Sequence, residues 1–219
     1  MLGVAGIIGS GQAELLEAIM GIRPVNGGTV LLHGDDIPGL SIRRRRALGL
    51  AFVPGDRHRD GLIGSMSVAD NLALGTNGRP SASRSGILNL QSIETHARTL
   101  MKRFGISAAG AGVRAATLSG GNQQKLILAR ELARDPEVVL CCYPTRGLDF
   151  ASTAAVHEEL RLAAARGAAV VVVSIDLGEL LVLASRLIVI QAGRLTGEVA
   201  ADQVTAAELG VMLGGGIAA

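Results

Sequence analysis

Tryptophan is missing from this 219-residue chain, tyrosine occurs once and phenylalanine three times, so aromatic residues make up 2% of it. That leaves few platforms on which single-stranded bases stack, and a net charge of only +2 gives little attraction for a phosphate backbone. No nucleic-acid partner is expected. The one basic run, Arg43 to Arg46, reads as a solvated helix face. Cysteine is nearly absent as well: Cys141 and Cys142 are neighbours in an apolar stretch, do not easily bridge to each other, and read as buried small hydrophobes in a reducing, cytoplasmic compartment. Hydrophobic residues reach 48%, yet Arg, Asp, Glu and Gly interrupt every run before the roughly eighteen residues a bilayer span needs. The N-terminus shows no basic stretch ahead of an apolar core and no cleavage-like site, so no secretory signal is expected.

What is there is an alternation. Residues 2–8 form a short apolar run ending near glycine, and residues 12–20 carry Leu15, Leu16 and Ile19 at helical spacing. Strands are expected over 29–32, ending in a His33-Gly34-Asp35-Asp36 turn, and over 50–53, leading into a loop over 54–64. Ser67 suits the N-cap of a helix through Leu74, residues 75–90 read as a loop or weakly ordered excursion, and 92–104 form an amphipathic helix. From Leu118 the order is helix 123–134, strand 138–142, helix 153–166, strand 169–174, helix 178–183, strand 187–190, an Ala192-Gly193 turn, strand 195–198 and a last helix near 205–212. Such alternation implies a mainly parallel sheet flanked by helices, an α/β fold. The expected layout is one domain over 1–219, with a core of 1–64 and 126–219 and a helical subdomain of about 65–125.

Between the first strand and its helix lie Gly6, Gly9, Ser10 and Gly11, where backbone N–H groups can wrap a phosphate at a helix N-terminus. A working loop of this kind continues with Lys, for the outer phosphates, and Ser or Thr, for magnesium. Here Gln12 and Ala13 stand in those places. A tight structural turn would explain the glycines equally well, and Glu14 reads as a solvated first-turn carboxylate.

A second glycine motif is more specific. Leu118, Ser119, Gly120, Gly121, Asn122 and Gln123, followed by Gln124 and Lys125, open a helix with a hydroxyl and backbone amides suited to a γ-phosphate. The run resembles the signature of ATP-binding-cassette (ABC) ATPases in the form found in simple-sugar and nucleoside importers. The similarity continues in order along the chain. Pro144-Thr145-Arg146-Gly147-Leu148-Asp149 looks like the Walker B exit and D-loop, with Leu148 and Asp149 as the D-loop pair. Asp56-Arg57-His58-Arg59-Asp60-Gly61-Leu62 looks like the glutamine-loop region, and Gly193-Arg194-Leu195-Thr196-Gly197-Glu198 like the closing hairpin.

The resemblance implies a P-loop NTPase-like ABC fold whose usual N-terminal antiparallel strands, with their adenine-stacking aromatic, are missing; the chain could be a fragment of a longer product. It also implies ATP with Mg2+, a second nucleotide-binding domain, transmembrane permease subunits and, indirectly, a periplasmic or extracellular solute-binding protein. A cytoplasmic position on the inner face of the cell membrane follows. Against that family, the strand-end Asp and Glu become Cys142 and Tyr143, the switch histidine becomes Ile175, the loop glutamine becomes Gly55, and Gln12 and Ala13 replace Lys and Ser/Thr. Neither a thiol nor a phenol carries carboxylate charge at neutral pH. The expectation is a half with no catalytic residue and no metal ligand of its own, whose signature completes a partner's ATP site. The competing readings are a self-sufficient ATPase and a soluble superfamily member serving translation, repair or assembly.

Overall fold

The computed structural model describes residues 1–75, 83–84 and 87–214, with backbone alone at 83–84 and 87–88. In chain order the elements are β1 (Leu2–Gly6), α1 (Gln12–Met20), β2 (Leu31–Leu32), β3 (Asp35–Asp36), α2 (Ile42–Ala47) and β4 (Leu50–Val53). A π-helical turn (Arg57–Gly61) precedes α3 (Val68–Ala73), β5 (Ser83–Arg84), β6 (Ile87–Leu88), α4 (Leu90–Arg103) and α5 (Gly120–Leu132). Then come β7 (Val138–Cys142), α6 (Phe150–Ala165), β8 (Ala169–Ser174), α7 (Leu177–Leu183), β9 (Arg186–Gln191), β10 (Arg194–Ala200) and α8 (Ala206–Leu213). The chain divides into two compact units: residues 1–55, 135–144 and 160–219, and residues 56–134 and 145–159.

The first unit carries a six-stranded sheet in the order β10-β9-β1-β8-β7-β4. Every pairing in it is parallel except β9 with β10, which meet across the Ala192-Gly193 turn. Alternation along a strand sends successive side chains to opposite faces. Val4 therefore joins Leu16 and Met20 of α1 in a core with Phe52, Leu140, Cys142 and Val173. Gly3 turns the other way, so close to Leu187, Ala184 and Leu180 that a Cβ there would lie 2.5 Å from Leu187 Cδ2. Helices thus cover both faces, as parallel strands require. No helix among the described residues is long and apolar enough to cross a membrane.

Three local expectations need correction. Asp35 and Asp36 are not turn residues: they pair with Leu32 and Leu31 as β3, leaving only His33 and Gly34, both at positive φ, to make the turn. The 54–64 segment is not plain loop, because Asp56 accepts hydrogen bonds from the His58 and Arg59 amides and starts the π-helical turn. The basic run is not uniformly solvated either. Arg45 is 1% exposed, donating through Nε to Leu40 O, through Nη1 to Ala18 O and Ile19 O, and through Nη2 to Pro38 O. It caps the carbonyl end of α1, where a cation opposes the negative pole of the helix dipole.

The second unit is mostly helical. Ser67 caps α3 in a reciprocal capping box with Asp70, and Asn71 at 0% exposure ties the turn before it through Ile63 N and Ile63 O. Ile93, Ala97 and Leu100 bury one face of α4. The expected 75–90 excursion lies mostly outside the described residues; within it, Ser83–Arg84 and Ile87–Leu88 pair antiparallel.

Candidate functional site

In the first unit the glycine loop has the backbone of a phosphate cradle. Gly9 and Gly11 sit at φ 88° and 107°, a region L side chains rarely adopt. Ser10 N donates to Ile7 O at 2.9 Å, and Gly193 N donates to Ser10 O at 2.7 Å, so the β9–β10 turn braces the loop. Gly11 approaches that turn closely enough that a Cβ would lie 3.3 Å from Gly193 Cα. What should reach outward does not. Gln12 is 1% exposed, and its Nε2 donates back to Ile7 O at 2.9 Å. Its Oε1 is buried with no hydrogen-bond partner. Ala13, partly buried against the core, has no hydroxyl, while Ile7 and Ile8 stand 57% and 63% exposed on the loop.

The residues at the end of β7 carry no charge either. Cys142 is buried at the end of β7, and burial first, then the nearby charges of Glu17 and Glu14, pushes its thiol up to about 12, so it stays neutral. Tyr143 adopts φ 48°, with its amide donating to Val173 O at 2.8 Å. Its ring lies against Gly55, where a Cβ would be 2.9 Å from Cδ2. A side chain at 55 would force the ring at 143 to shift. Ile175 follows β8 with 48% of its surface exposed, and its polar neighbours are engaged locally: Ser174 Oγ donates to Glu179 Oε2 at 2.5 Å, and Asp176 caps α7.

In the second unit the signature shows the opposite arrangement. Ser119 occupies the N-cap of α5 but makes no side-chain capping bond. Its exposed hydroxyl instead accepts from Asn122 Nδ2 at 2.9 Å, so its own proton is available to an acceptor outside the helix. The intrahelical ladder begins with Gln123 N donating to Ser119 O at 2.9 Å, which leaves the amides of Gly120, Gly121 and Asn122 ahead of it. Leu118 and Gln123 are buried anchors; Gln123 Nε2 donates to Ala115 O at 3.3 Å. Gly121 faces Ser152, where a Cβ would fall 2.1 Å from Oγ. Leu148 N closes a turn onto Thr145 O at 3.0 Å, and the Asp149 carboxylate accepts from the Ser152 amide and hydroxyl, each at 2.8 Å. Those donors, the amide first, hold Asp149 below the usual carboxylate range.

Residues 1–146 match the family profile described as ABC transporter. The chain belongs to the ABC transporter family. Among curated relatives it is 44% identical to the nucleoside import ATP-binding protein NupA of Lactococcus lactis subsp. cremoris over 216 residues, covering 99% of this chain and 43% of that protein. It is 35% identical to the guanosine import ATP-binding protein NupO of Bacillus subtilis, covering 98% of this chain and 42% of that one. This ABC domain therefore spans less than half the length of these two relatives. The fold matches the dimeric post-hydrolysis state of the ATP-binding cassette MJ0796 bound to ADP and Pi, with a TM-score of 0.78 at 23% identity over 92% of this chain and 85% of that one. Ser152, which lies against Gly121, escaped sequence reasoning, while Gly193 and Arg57 were read only as parts of motifs and their contacts with Ser10 and with Gly120 were not.

Proposed function

We propose that this chain is the ATP-binding half of a nucleoside or simple-sugar importer that lends its signature to ATP held by a partner half and hydrolyses none at its own loop. The observation that carries the reading is the contrast between two side chains. Ser119 keeps an outward hydroxyl at a helix N-terminus, whereas Gln12 turns its donor into the loop. Loss of charge at the first unit's strand ends supports it, since phosphoanhydride hydrolysis depends on metal placement and an oriented water. Magnesium takes oxygen ligands, and the side chains of Ala13 and Cys142 offer none, so these two positions do not fit that ion. The relatives' names support an importer of nucleosides or simple sugars, with permease subunits and a solute-binding protein as further partners and the inner membrane face as its place of work.

On this reading, Ser119 and the amides after it hold the terminal phosphate as charge develops on its oxygens, a role that needs donors fixed before reaction. Ser119→Ala should lower ATP hydrolysis by the assembled transporter by on the order of 10² to 10³, while Cys142→Ser should leave it within twofold or so. Gly121 is a poor probe of charge, because any side chain there strikes Ser152 first. Steady-state phosphate release by both variants is the measurement. Full activity in folded Ser119→Ala, or robust magnesium-dependent turnover by this chain alone, would overturn the reading.

A further inference from the structure

Arg57 stands where three segments of the second unit meet. It opens the π-helical turn that Asp56 caps, and that turn seats on α5 at its far end, where a Cβ added to Gly61 would lie 2.6 Å from Ile127 Cδ1. At its near end the guanidinium covers the start of the same helix: Nη2 lies 3.0 Å from the Cβ position of Gly120 and 4.0 Å from that of Gly147. Nη1 donates to Arg146 O at 3.1 Å. Nε is buried with no hydrogen-bond partner. The Asp149 carboxylate, 3.8 Å from the Cβ position of Gly121, is held by Ser152.

This is an unusual place for a structural cation. The N-terminus of α5 is the positive pole of a helix of 13 residues, and a cation beside it is disfavoured unless something offsets the repulsion. The fork of a guanidinium, unlike a lysine ammonium, can fill two directions at fixed geometry. Here one arm grips the carbonyl of Arg146 and the other lies on Gly120, one residue past Ser119. A Cβ on Gly120 would crowd it.

We infer that Arg57 is a positioning residue for the composite ATP site, joining the signature to the loop of residues 146–149 so that Ser119 and the α5 amides present one fixed face to the partner's phosphate. The inference rests on the function proposed above and adds a residue to it. Arg57 acts through the two segments it bridges rather than by contact with the reacting atoms. Its removal should therefore slow the chemical step more than it weakens nucleotide binding.

The test is ATP hydrolysis by the assembled transporter carrying Arg57→Ala, Arg57→Lys, Arg57→Gln, Gly120→Ala, or Arg57→Ala with Gly120→Ala, alongside Ser119→Ala. Arg57→Ala should lower kcat about tenfold with KM for ATP changed less than about threefold, a split expected of lost transition-state alignment. Arg57→Lys, which keeps the charge and loses the fork, should not restore kcat. Gly120→Ala, whose methyl would crowd Nη2 at 3.0 Å and shift it, should lower kcat in the same direction by a smaller factor, and the double variant should be no slower than the worse single one. Arg57→Gln keeps a polar side chain of intermediate length and serves should the alanine variant unfold; it should show the same kcat loss. Wild-type kcat in Arg57→Ala or Arg57→Gln, full rescue by lysine, or multiplying effects in the double variant would each overturn the inference while Ser119→Ala remains crippled. If Ser119→Ala itself is fully active, the proposed function fails first, and this inference with it.

Discussion

The glycine loop of the first unit and the signature of the second are both strand-or-loop to helix transitions rich in glycine, yet they treat their polar groups in opposite ways. At the loop, Gln12 folds its amide inward onto Ile7, Cys142 is held neutral, and Tyr143 occupies the space beside Gly55. At the signature, Ser119 is oriented by Asn122 with its hydroxyl proton left over, and the first amides of α5 have no side-chain cap. A polar group turned inward contributes to folding; one kept outward at a cost to helix capping is available to a ligand. Substitutions in the first region should therefore register in stability, and those in the second in activity of the assembled protein.

The largest effect that could break this comparison is at Arg45. Arg45→Met removes the guanidinium from four part-buried carbonyls, of which Ala18 O keeps the Gly21 amide, and should cost about 2–4 kcal/mol of unfolding free energy, read from the urea midpoint. A loss below about 1 kcal/mol would mean the first unit tolerates orphaned polar groups. Next is the Gly55–Tyr143 pair. Gly55→Gln should destabilise by about 1–3 kcal/mol through overpacking, and Tyr143→Ala in the same chain should relieve part of it, giving a coupling of about 1 kcal/mol in a double-mutant cycle. Additive effects would show that the ring does not hold the space.

On the signature side, Asn122→Ala removes the donor that orients Ser119. On the proposed function it should slow ATP hydrolysis by the assembled protein about tenfold, equivalent to about 1.4 kcal/mol, with a stability loss of no more than about 1 kcal/mol from the Ser107 amide that Asn122 Oδ1 also accepts. The smallest effect concerns pH. Below the ordinary thiol value of 9.0, folded and unfolded chains both keep the Cys142 proton; above it only the unfolded chain can ionise until about 12. Stability should accordingly fall as pH rises across that window. Cys142→Ala should show a shallower fall in urea titrations at pH 8 and 10.

Much of this was legible before any coordinates. The ends of α1, β4, β7 and β8 follow from where apolar periodicity starts and stops, because a half-buried helix and a fully buried strand impose different spacings on their side chains. The resemblance at Leu118 to Gln123 was legible because it lies in six consecutive residues. Helix α2 was half-read: its arginines suggested a helix face, but the burial of Arg45 depends on carbonyls of α1 lying 26 and 27 residues away. Local charge cannot reveal such a partner.

Gln12, Ala13, Gly55, Cys142, Tyr143 and Ile175 are facts of the sequence, and none of these side chains carries a charge at neutral pH. The tertiary structure decided the direction each remaining group takes. It turned Gln12 toward Ile7, set a tyrosine ring on Gly55, and placed Arg57 between Arg146 and Gly120. Residue type determines which hydrogen bonds and charges exist. Which of them meet is settled by backbone segments far apart in the chain, at distances of about 3 Å that no one-dimensional pattern records.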